Sequence, residues 1–148
     1  MTRTNYIEAK ADSLLDLLIG QCADLEALLT LARREEEAVK ARNFDELLRV
    51  TEERATLGER LEVYHRQIAE MRLRLGAAAE PMLRSEAASR ATLLVTGILE
   101  YDARSRPLLL TARQEMADQR LRLDQAQRGT RAYLQEEIKT PVACDQRA

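Results

Sequence analysis

Three sets of residues have types and spacings that could do chemistry. Glu62-Val63-Tyr64-His65 places a carboxylate and an imidazole three residues apart, on one face of a helix. In di-iron bundles two such pairs and two further glutamates build the metal site. His65 is the only histidine in the 148 residues, so the second pair cannot exist. Cys22 could be a nucleophile only with a base and an orienting group. It sits among leucines instead, where a free thiol behaves as a small hydrophobe. Cys144 has no activating neighbour in the sequence. None of the carboxylates falls on a predicted apolar face beside another titratable group, so no acid/base pair emerges. The glycines are isolated, which excludes a phosphate-binding loop. The expectation is a protein that is not an enzyme, with no metal and no cofactor.

The elements that carry these residues are helices. Ala11, Leu15, Leu18, Cys22, Leu25, Leu29 and Ala32 alternate steps of four and three, which draws one apolar stripe down a helix predicted over about 5–42. Asn43 can cap a second helix, with Glu46 reaching back as in a capping box. The turn at 42–45 therefore predicts an antiparallel hairpin. The second helix, over about 44–75, carries Leu47, Val50, Leu57, Leu61, Tyr64, Ile68, Met71 and Leu75. Arg54 interrupts this stripe, its stem expected along the seam and its head in water. Gly76 and Pro81 mark the next turn. A third helix is predicted over about 85–138, with a kink or break near Pro107. Pro141 should end it, leaving 141–148 as a flexible tail. The predicted fold is all-α. It is an elongated antiparallel hairpin with a long kinked third helix and a C-terminal helical segment, in one bundle domain over 1–140.

Composition agrees with this class. Hydrophobic residues make up 45% and charged residues 32%, a balance that suits a folded bundle rather than a disordered chain. Aromatics are only 3%, which leaves the core to Leu, Ala and Ile and disfavours strands. The net charge of −2 and the lack of aromatic residues interleaved with basic ones argue against nucleic acid. Charge is uneven: residues 1–102 hold 14 basic and 19 acidic side chains, residues 103–148 hold 9 and 6. A basic last third suits an acidic partner or simply a solvated face. Two cysteines in such different settings do not form a disulfide framework. No apolar stretch suits a signal peptide or stable membrane insertion, so a reduced cytoplasmic setting is expected.

Three stretches together resemble the FlgN-type flagellar type III export chaperones, with features shared by the filament-cap chaperones. They are Leu14-Leu15-Asp16-Leu17-Leu18 with Leu25-Glu26-Ala27-Leu28, then Asn43-Phe44-Asp45-Glu46-Leu47-Leu48 through Arg54, Leu57 and Leu61. The third is Ile98-Leu99-Glu100-Tyr101-Asp102 with Leu108-Leu109 and Ala132-Tyr133. The resemblance spans most of residues 10–134. It departs from the family pattern at Arg54, where a Lys is usual, at Pro107, and in the missing Gly after Tyr133. It implies a cytoplasmic protein that covers the amphipathic terminal helix of a late subunit, from the hook-filament junction or the cap. The subunit would be kept unassembled and delivered to the export apparatus, with Tyr133 helping to dock on the export gate.

The last helical segment, from about Leu109 to Ile138, is where such a client would bind. Met116, Leu123, Ala126 and Tyr133 keep the stripe, while Gln119 and Thr130 thin it. A thinned seam packs poorly at home and exchanges partners at modest cost. The competing reading of the same residues is end-of-bundle packing. The competing reading of the whole chain is a structural or adaptor coiled-coil protein that forms a homodimer or binds a scaffold.

Overall fold

The computed structural model describes residues 2–145, with side chains to residue 138. Four helices follow one another: α1 (Arg3–Lys40), α2 (Phe44–Leu75), a one-turn α3 (Glu80–Leu83) and α4 (Glu86–Asp145). A 3₁₀ turn, Gly76–Ala79, leads into α3. The protein is all-α, with three long helices and no strand among the described residues.

The hairpin turn forms where Asn43 predicts it. The Asn43 side chain accepts from the Glu46 backbone N–H at 3.2 Å. The second half of the capping box is absent. Glu46 Oε1 instead takes Arg34 Nη2 at 2.6 Å, while the Asn43 N–H donates to the Ala38 carbonyl at 2.9 Å. With the Arg42 N–H on the Val39 carbonyl, this is a Schellman ending for α1, and it puts Arg42 at φ 56°. Gly76, at φ 54°, ends α2 in a left-handed conformation that suits glycine.

The chain divides into two compact units, Met1–Leu108 and Leu109–Ala148, where the sequence suggests one domain over 1–140. In the first unit α1 and α2 run antiparallel, and the opening turns of α4 run alongside α1 in the same direction. Asp24 meets Arg60 across α1–α2, and Glu26 meets Arg90 and Glu36 meets Arg104 across α1–α4. Leu14, Leu18, Met71 and Ala79 form one buried cluster. Cys22, Leu25, Ala91 and Ile98 form the next. Because α1 has two neighbours, it buries a broader band than the single predicted stripe. Leu14 and Leu31 are buried, whereas Leu15 and Leu29 are half-exposed.

The structure rules out a break at Pro107 and corrects the helix end expected at Pro141. α4 passes through Pro107 without a break, and it continues through Pro141 to Asp145 where the pattern predicts an end. A proline's fixed φ is itself helical, so it costs one backbone hydrogen bond and some crowding without forcing an ending. The boundary between the two units nonetheless falls one residue after Pro107. Of the predicted tail, residues 146–148 lie outside the described residues.

Candidate functional site: the exposed face of residues 109–138

In the second unit Leu109 is half-buried and Ala112 is buried. From Met116 to Ile138 every side chain is exposed. The predicted positions keep their register on one helix. At about 100° per residue, Met116, Leu123, Ala126 and Tyr133 fall within a sector about 100° wide. Met116 is 40% exposed, Leu123 63% and Tyr133 61%. Sequence reasoning missed Leu134 and Ile138, which continue the same side and are 50% and 70% exposed. The signal was present: Leu134 lies eleven residues beyond Leu123, three helical turns along the same line.

The polar interruptions are partly turned inward. The Thr130 hydroxyl donates to the Ala126 carbonyl at 2.9 Å, so its methyl group faces out. The Tyr133 hydroxyl donates to Glu137 Oε1 at 2.8 Å, which fixes the ring beside the stripe. Gln119, Arg122, Leu123 and Ala126 line a shallow depression of about 400 Å³. A face of this kind can take a second amphipathic helix by apolar burial.

The first unit holds the polar cluster that sequence reasoning did not find. Arg54 does not send its head into water. Its Nη1 lies 2.9 Å from Glu35 Oε1 and 2.9 Å from Asp102 Oδ1, and its Nη2 lies 3.0 Å from Asp102 Oδ2. One guanidinium thus ties α1, α2 and α4 together. Burial raises the Glu35 carboxyl above its ordinary range, against the lowering pull of Arg54. Asp102, then Glu35, hold the Arg54 cation above its ordinary value. Next to Asp102, Tyr101 lies between two cations, with Arg104 at 4.3 Å and Arg33 at 5.7 Å from the ring centre. The available signal was Arg54 itself, a charge in an apolar register. Every group in the cluster is spent on a neighbour, so it reads as a fastening rather than a reaction centre.

The other candidate chemistry disperses. Glu62 and His65 are both exposed on α2, and no group of three metal-ligating side chains occurs among the described residues. Cys22 is buried, its thiol donates to the Ala87 carbonyl at 3.0 Å, and burial pushes its pKa up. That is the opposite of an activated thiolate. The Cys144 side chain lies outside the described residues. Among the described residues no helix is long and apolar enough to cross a membrane.

Comparison with protein-family models, with characterised proteins and with solved structures finds no match.

Proposed function

We propose that this protein is a helix-binding export chaperone. The first unit is the stable scaffold, and the face from Met116 to Ile138 takes the amphipathic terminal helix of a flagellar junction or cap subunit. The observation that carries this reading is the unbroken exposure of that face, with Met116, Leu123, Tyr133, Leu134 and Ile138 in one sector. Such a row of apolar groups gains free energy when a partner removes it from water. An isolated amphipathic client helix has the same need, so the two satisfy each other in a temporary mixed bundle. By the resemblance, Tyr133, amphipathic and exposed, would also help dock the loaded chaperone on the export gate.

The test removes residues 128–148 and measures melting together with binding of purified junction and cap subunits. Lost binding with a nearly unchanged melt supports the proposal. A collapsed fold makes the segment part of the core, and unchanged binding puts the client elsewhere. The second reading, a coiled-coil adaptor that pairs with its own copy, draws on the same heptad spacing of Met116, Leu123, Ala126 and Tyr133. Sedimentation of the free chain separates the two: a stable dimer through this segment favours the adaptor.

A further inference from the structure

In the first unit Arg34, Arg54, Arg60, Arg90 and Arg104 are each engaged by a carboxylate, while Arg49, Arg66, Arg72 and Arg74 are exposed and make no ion pair with a described residue. In the second unit Arg113, Arg120 and Arg131 are exposed and make no ion pair with any described residue. Their spacing of seven and eleven returns them to nearly the same angle on the helix, along one border of the apolar sector. Gln127 continues the row, and Asp124 lies just outside it. The opposite border is mixed. Glu115 is half-buried and Arg122 is basic; Glu137, which already accepts the Tyr133 hydroxyl, falls within the sector itself.

We infer that the partner of this face is an α-helix whose apolar stripe is bordered, on the side that meets Arg113, Arg120 and Arg131, by a row of carboxylates. The inference rests on the reading of this face as the client site and adds the client's chemistry to it. Charge complementarity carries it: three uncommitted guanidinium groups in line, on the rim of an apolar strip, are matched by carboxylates at the same two-turn and three-turn intervals. A second copy of the chain does not offer such a row, because its opposite border mixes Glu115 with Arg122. An anionic bilayer matches less well, since the opposite border sets Glu115 beside Arg122 and is not a basic row. Rim pairs of this kind choose the partner and set its register, while the apolar strip supplies most of the affinity.

The experiment uses the full chain and three synthetic helical peptides of about 24 residues, long enough to span 116–138. All three carry the same leucine stripe, and the border row is Glu, Gln or Lys. Binding is followed by fluorescence anisotropy. The Glu peptide binds about tenfold tighter than the Gln peptide, the sum expected of three rim ion pairs, and the Lys peptide binds weakest. The advantage fades as salt rises from about 0.05 M to about 0.5 M. The double variant R120E/R131E reverses the order in favour of the Lys peptide. Equal binding of all three peptides overturns the charge inference and leaves the client-face reading standing. No binding of any peptide, with the chain instead dimerising through this face or coating phosphatidylserine vesicles, overturns both.

Discussion

Arg54 shows most clearly what one residue does in this fold. Its guanidinium sits where three helices would otherwise meet in an apolar seam, and it is matched on both sides by carboxylates. Removing Arg54 leaves the Glu35 carboxylate buried and unmatched, beside a half-exposed Asp102. Arg54→Ala should therefore destabilise the protein by roughly 3 kcal/mol, read by chemical denaturation. A loss within about 0.5 kcal/mol, the range of an ordinary surface change, would place the cluster in solvent. Glu35 gives the pH signature. Its folded carboxyl is raised, so the folded state holds that proton more tightly than the unfolded chain does. The stability linked to Glu35 is present below its unfolded pKa and is lost as pH rises through the folded one. The wild type should accordingly gain in melting temperature on Glu35→Gln as pH falls from about 7 to about 4, across the ordinary carboxylate range. A wild-type advantage that shrinks on acidification contradicts the assignment. Glu36 runs the other way. Lys40 and Arg104 hold its carboxyl low, so its smaller contribution is present above the unfolded pKa and lost in acid. This layer was only half legible in the sequence. Arg54 stands out as a charge in an apolar register, but Glu35 and Asp102 become its partners only through the pairing of three helices, which no local pattern encodes.

At the scale of elements the sequence was more open. Each long helix announces itself by three-and-four spacing, and the hairpin turn by Asn43. The helix ends were less legible where they depend on proline, because Pro107 and Pro141 each weaken a helix without deciding whether it stops. The width of the α1 apolar face was hidden too, since it depends on how many neighbours α1 has. Leu14 and Leu25 are buried, and either change to Ala should cost about 2–5 kcal/mol. Leu61 is only half-buried and should cost less. Gly20 offers a sharper check on how α1 and α2 pack. A methyl group there would lie 2.6 Å from the Tyr64 hydroxyl and 3.0 Å from its ring. Gly→Ala inside a helix ordinarily gains about 1 kcal/mol. Here Gly20→Ala should lower the melting temperature, because Tyr64 must leave its place; a raised melting temperature contradicts this packing. Arg42→Gly should act in the opposite sense, stabilising by up to about 1 kcal/mol by relieving a left-handed non-glycine residue at the end of α1.

For the molecule as a whole, the proposed function divides the labour between a folded first unit and a recognition face on the second. The first carries both buried clusters and the Arg54 fastening. From Met116 to Ile138 the second displays its apolar and basic side chains to solvent. The four positions expected from spacing, Met116, Leu123, Ala126 and Tyr133, are all on that display, and Leu134 and Ile138 extend it. Their exposure was not legible, because the same spacing also describes a core helix. The most direct measurement is the affinity of L123D/Y133D for the Glu-bordered helical peptide, taken beside its thermal melt. If these side chains form the client face, affinity falls by more than about thirtyfold, as for two hot-spot residues, while the melting temperature stays within about 2 °C of the wild type. An unchanged affinity, or a melt that falls by about 10 °C or more as expected for buried charges in a core, contradicts the account.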